Sequence, residues 1–174
     1  MGQYGTMIAD SATVGLAMAN RLVVGIADDR FARWARPGGQ TIVSNHPAFA
    51  LGHLCLYPLK VHQLLGQAVN AVQPLANYEA LFSKDARCED DAAGTLYPPR
   101  TEIVDFFNRS YQAAIETLRQ TDDARLIAEN PLDTPMKKMC PSLGSLLNFY
   151  MTGHVTTHLG QISAWRRMEG MPAA

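Results

Sequence analysis

Four long stretches of this chain carry apolar residues at three- and four-residue steps. That spacing puts one apolar stripe along a helix, so the chain must bury four such stripes against one another. In the first stretch Ile8, Ala12, Leu16, Ala19, Val23 and Ile26 share a face, predicting a helix over roughly residues 6–27. Asp28 to Trp34 has room for one further turn before Arg36-Pro37-Gly38-Gly39 breaks the chain. Ser44 or Asn45 offers a cap for a second helix, Pro47 suits its first turn, and the pattern runs to about Val72. Pro58 lies inside it and cannot donate to the carbonyl of Leu54, which predicts a bend just past His53. Thr101, Val104, Phe107, Tyr111, Ile115 and Leu118 mark a third helix ending near Asp122. Ser142 caps a fourth that continues to about Glu169, where Gly170 and Pro172 stop it. Strand-like alternation is confined to Gln40–Val43 and is weak there. The fold class read from this pattern is all-α.

Two irregular connections organise the helices. Residues 73–99, with Glu89-Asp90-Asp91, Gly94 and Pro98-Pro99, form a linker too long for a tight helical hairpin, whose loops span about 2–8 residues. Such a linker crosses the end of a bundle and lets helices two and three run the same way, which gives a four-helix bundle with a long crossover between helices 2 and 3. The second irregular stretch, Asp122 to Pro141, holds Pro131, Pro135 and Pro141. At 174 residues the chain reads as one domain, residues 1–174.

Composition bounds the partners. The formal net charge is −1, and the densest basic spot is the pair Arg166-Arg167, so nucleic acid is excluded as a natural ligand. Charged residues make up 18% of the chain, a thin polar shell that leaves apolar surface for a second subunit. Cys55, Cys88 and Cys140 form neither a disulfide framework nor a thiolate zinc motif, which fits a reduced, cytoplasmic protein. Residues 14–27 are apolar, but Asn20 and Arg21 interrupt them, so no membrane span is expected. The opening residues lack the basic start and apolar core of a signal peptide.

The chemistry rests on histidines. His154 and His158 stand four apart, about 40° round the helix and one turn along it, so their imidazoles can share one ion. Position 155 is valine, which excludes the zinc-peptidase pattern and its glutamate base. Gln161 falls on the same face. Gly153 and Gly160 flank the pair, either for close helix packing or to leave room for a ligand. His53 lies among apolar residues of the second helix; it is either a satisfied core histidine or a third ligand. His46 is about 10 Å upstream along the axis and His62 faces elsewhere, so both read as structural or surface residues.

Two segments together resemble the DinB/YfiT-like family of metal-binding helical proteins. One is Trp34-Ala35-Arg36-Pro37-Gly38-Gly39 with Ser44-Asn45-His46-Pro47 and Gly52-His53-Leu54; the other is Gly153-His154-Val155-Thr156-Thr157-His158-Leu159-Gly160-Gln161-Ile162. The resemblance extends over the whole chain in helix layout, but its specific motifs occupy only these segments. It implies a four-helix bundle in which His53, His154 and His158 bind a divalent metal ion, zinc or nickel, in a homodimer. Family members with assigned chemistry include thiol-dependent enzymes acting with bacillithiol or mycothiol, and a maleylpyruvate isomerase; most have no demonstrated activity.

Three imidazoles leave open positions on an ion, as in catalytic zinc sites. The expected activity is therefore metal-dependent chemistry on a small molecule. The resemblance favours S-transfer from a low-molecular-weight thiol over hydrolysis. A non-catalytic, stress-related bundle in which the ion pins helix two to helix four is the alternative. Gln161 bonds the bound ligand, orients a histidine or bonds backbone, and Tyr150 either lines the pocket or packs. No carboxylate can be assigned as a general base.

Overall fold

A computed structural model describes residues 2–174. The regular elements are helices α1 (Gln3–Val23), α2 (Asp28–Phe31), α3 (Pro47–Leu54), α4 (Tyr57–Leu65), α5 (Tyr78–Phe82), α6 (Arg100–Gln120), α7 (Asp123–Ile127), α8 (Met136–Met139), α9 (Leu143–Asn148) and α10 (His154–Met168). Among the described residues no strand forms. Gln40–Val43 contributes one isolated bridge, in which Ile42 pairs with Ala35. No helix among these residues is long and apolar enough to cross a membrane.

The helices start and stop where local chemistry requires. The first ends at Val23 rather than at residue 27, because Val24 turns extended and Gly25 takes a positive φ of 76°. The second predicted helix is two helices. With Pro58 in the first turn of α4, the Leu54 carbonyl loses its helical donor, and the Tyr111 hydroxyl bonds it instead at 3.3 Å. α4 closes at Leu65 on left-handed Gly66, short of the expected Val72. The cap of α3 is neither Ser44 nor Asn45. His46 fills that position, its Nδ1 accepting the Phe49 N–H at 3.1 Å. Ser142 does cap α9, in a reciprocal arrangement with Ser145. Between α9 and α10 the fourth helix widens into a π turn over Phe149–Gly153.

Contacts along the helices give their directions. The Gly2 N–H donates to the Thr121 carbonyl at one end of α1, and Arg100 bonds the Val23 carbonyl at the other, so α1 and α6 are antiparallel. Cys55 meets Ile103 and His62 meets Thr117, so the second helical segment runs parallel to α6. Arg166 near the end of α10 reaches Leu22 and Val24 at the end of α1, so these two also point the same way. The core between them is apolar: Leu51, Leu54, Phe107, Tyr111, Leu159 and Trp165 are all nearly inaccessible.

The acidic run in the long connection is structural. Asp90 takes a bidentate bond from Arg33 at 2.8 and 3.0 Å, a bond from Arg36 at 2.9 Å and the Trp34 N–H at 2.8 Å. The Arg33 bond holds the Asp90 carboxyl down at about 2. Asp91 folds the next turn by accepting the amides of Thr95, Leu96 and Tyr97. These bonds hold residues 89–97 against the base of the first helical region, and α5 then seats against α3.

Candidate metal centre

α3 and α10 pack directly and in opposite directions. Asn45 donates to the Gln161 side-chain oxygen at 3.0 Å at one end of the contact, while His53 meets His154 nearer the other. His53 occupies the last turn of α3; His154 and His158 occupy the first two turns of α10. The fold thereby brings together the three predicted histidines, whose nearest ring nitrogens all lie within 4.8 Å of one another.

The orientation of each ring is set from behind. His53 Nδ1–H donates to the Phe82 carbonyl of α5 at 2.7 Å, and His158 Nδ1–H donates to Gln161 Oε1 at 2.9 Å. With both protons so placed, Nε2 of each ring is a bare lone pair aimed inward. His154 Nε2 sits between them, 3.3 Å from His53 Nε2 and 3.1 Å from His158 Nε2. One proton on His154 satisfies only one of those contacts. The lone pair of the other neighbour is then left without that donor, and the buried His154 Nδ1 has no partner. One cation shared by the three Nε2 atoms would engage every one of those lone pairs. Imidazole nitrogens about 2.05 Å from a tetrahedral ion stand about 3.3 Å apart, close to the two separations from His154, while the set as a whole lies within 4.8 Å. The donor set fits a divalent ion.

Electrostatics keep the rings neutral, the form that ligates. Burial, then the neighbouring His158 and His53, pushes His154 down to about 3. Burial lowers His53 and His158 as well.

Gln161 Oε1 bonds His158 Nδ1 at 2.9 Å, the contact that the orienting role expects. Tyr150 reaches the site through another residue, with its ring 5.0 Å from that of Tyr57. Sequence reasoning passed over Tyr57, one turn beyond His53. Its hydroxyl lies 3.4 Å from His53 Nε2 and its ring 4.2 Å from that of His154. Lys60 Nζ stands 4.5 Å over the outer side of the tyrosine ring. The four-residue step from His53 was the available signal. A Cβ on Gly153 would meet only the Phe149 ring of the preceding turn, at 3.4 Å, and one on Gly160 would meet nothing, so neither glycine packs closely against another helix.

His46 and His62 stand outside the cluster, and both are buried rather than at the surface. His46 Nε2–H donates to the Glu89 carbonyl at 2.9 Å; His62 bonds Ala68 and Thr117. Compared with known proteins, the chain matches no protein-family profile and no curated sequence.

Proposed function

We propose that this chain is a DinB/YfiT-like four-helix bundle, with residues 73–99 as its crossover, working as a metal-dependent enzyme on a small molecule. His53, His154 and His158 hold the ion, zinc or nickel, and S-transfer from a low-molecular-weight thiol is the reaction class. The same reading makes the protein a cytoplasmic homodimer. The observation that carries the metal reading is the inward set of three Nε2 atoms at 3.1 and 3.3 Å, with both outer rings locked by acceptors on their far side. A shared cation would engage all three inward lone pairs at once.

Three protein ligands favour catalysis over a purely structural ion, since structural zinc sites are normally closed by four. Bound there, a divalent ion supplies Lewis acidity that lowers the pKa of a thiol or water beside it. The protein's own groups do the positioning. Gln161 and the Phe82 carbonyl fix two rings. The Tyr57 hydroxyl, kept protonated by burial that lifts it to about 12, offers a hydrogen-bond donor beside His53 Nε2. Lys60, behind the Tyr57 ring, adds positive charge that reaches His53 and His154 and suits an anionic substrate group.

The test uses untagged protein. Elemental analysis should find about one divalent ion per chain, and the loaded protein should accelerate attack of a small thiol on an aromatic halide. His158→Ala should lose both properties. Equal turnover by that variant dismisses thiol transfer, and wild-type protein that takes up no zinc or nickel dismisses the metal reading.

A further inference from the structure

Each histidine of the cluster has a different partner behind it. His53 Nδ1–H meets the Phe82 carbonyl at 2.7 Å, and a carbonyl can only accept, so the proton of that ring stays on Nδ1. His154 Nδ1 is buried and meets nothing. His158 Nδ1 lies 2.9 Å from Gln161 Oε1, and a primary amide can accept through its oxygen or donate through its nitrogen. Of the three, His158 alone has a tautomer decided by which way a neighbouring side chain is turned.

Gln161 is itself held by Asn45, the residue before the cap of α3. Asn45 Nδ2 donates to Gln161 Oε1 at 3.0 Å, from 116 residues away in the chain. That oxygen accepts twice, from Asn45 and from His158 Nδ1–H, so His158 Nε2 is bare and stands 3.1 Å from His154 Nε2. The two amides turned over together would also satisfy each other. Gln161 Nε2 would then donate to Asn45 Oδ1 and to His158 Nδ1, and the imidazole proton would sit on Nε2. There it occupies the lone pair that an ion needs. Whatever residue 45 offers to Gln161, donor or acceptor, is thus relayed to the inner nitrogen of His158.

We propose that Asn45 is a positioning residue: by donating to Gln161 it fixes the Nδ1–H tautomer of His158 and keeps Nε2 free to ligate. The use of that lone pair for an ion rests on the metal reading above; the tautomer does not. Among the described residues Asn45 makes no hydrogen bond to any of the three rings, so it acts through Gln161. A merely structural tie between α3 and α10 would require only that the two amides bond, and would be indifferent to which of them donates.

Asn45→Asp tests that polarity with almost no change of shape. A carboxylate there only accepts, so Gln161 must turn its nitrogen toward it and toward His158. NMR of the ring nitrogens in the isotope-labelled, metal-free full chain distinguishes a protonated from a bare nitrogen, at about pH 8 where imidazoles are neutral. Wild type should carry the His158 proton on Nδ1, and Asn45→Asp should carry it on Nε2. Zinc affinity, read by chelator competition, should fall about 10- to 100-fold in that variant. Gln161→Glu, an acceptor that cannot turn into a donor, should keep Nδ1–H and bind zinc at least as tightly as wild type. Asn45→Ala frees Gln161 to turn either way and should show both tautomers, which supplies the readout if the first variant does not fold. A His158 proton on Nε2 in the wild type, on Nδ1 in Asn45→Asp, or on Nδ1 alone in Asn45→Ala overturns the proposal, as does a reversed tautomer with unchanged zinc affinity. Wild-type protein that takes up no zinc or nickel dismisses the metal reading alone, and a reversed tautomer in Asn45→Asp then still assigns the His158 proton to Asn45.

Discussion

His46 shows how much one imidazole can do when each nitrogen has a fixed task. Nδ1 must be bare to accept the Phe49 amide and cap α3, while Nε2 must carry the proton given to Glu89. Protonation puts a second donor against the Phe49 N–H, and burial already holds the group down at about 4. The unfolded chain titrates near 6.5, so it binds more protons than the folded one between those values. Stability from this residue is complete above about pH 6.5 and is lost as pH falls toward about 4, by up to about 3 kcal/mol. Urea melts across that window should show the slope, and His46→Asn, which keeps an acceptor but not the titration, should flatten it. An unchanged slope in the variant would show that other groups govern acid sensitivity. Tyr57 makes a sharper case at the centre itself. Tyr57→Phe keeps the ring on His154 and removes only the hydroxyl, so stability should move by less than about 1.5 kcal/mol. Chelator competition should show little change in ion affinity, while turnover drops about tenfold or more if the hydroxyl bonds the reacting ligand. Unaltered kcat would reduce Tyr57 to a wall of the pocket.

Between elements, the contact of α3 with α5 decides where His53 points. A Cβ built on Gly52 would run into the Phe82 ring, which is itself closed in by Phe49, Tyr78 and Tyr97. Gly52→Ala should therefore push α5 outward, costing about 1–3 kcal/mol. It should also move the Phe82 carbonyl off His53 and weaken ion binding. Adding Phe82→Leu, which opens space for the methyl, should restore part of both losses. If Gly52→Ala binds the ion as tightly as wild type, the carbonyl is not what orients His53. This element scale also marks how far the sequence could be read. Long amphipathic stretches announce themselves through periodicity, and Pro58 announced the break between α3 and α4. The short α5, α7 and α8 could not be read, since a helix of one turn has no period of its own and is held by its neighbours. The π turn before His154 was equally silent, because one extra residue in a turn leaves the surrounding spacing intact. Glu89-Asp90-Asp91 looked like part of an irregular linker until the folded chain brought Arg33 and Arg36 to it. At the site, the His154–His158 spacing was legible by itself. His53 needed tertiary contact to become more than a core histidine, and Tyr57 drew no notice behind the proline break.

Across the whole molecule, the proposed ion joins α3 to α10, helices whose contacting histidines are 101 residues apart in the chain. A ligand that bridges such distant segments binds the folded state alone, so its binding energy becomes folding energy. At a free ion concentration about a hundredfold above Kd the gain is about 2.7 kcal/mol. For a chain of this size each kcal/mol is worth about 2–4 °C, so a chelator should lower the melting temperature by about 5–10 °C. The metal-free state adds a second, less intuitive expectation. Without an ion one proton on His154 serves only one of its two neighbours, so removing the His158 ring leaves His53 as its sole acceptor and no lone pair unserved. His158→Ala should then melt at the chelator-treated temperature or slightly above it, and should not respond to added zinc or nickel. An ordinary packing histidine behaves in the opposite way: its loss lowers the melting temperature of the chelated protein, and the wild type is indifferent to chelator. Calorimetric scans of four samples, wild type and variant with and without chelator, separate the two patterns, and the second of them would remove the ion from this fold altogether.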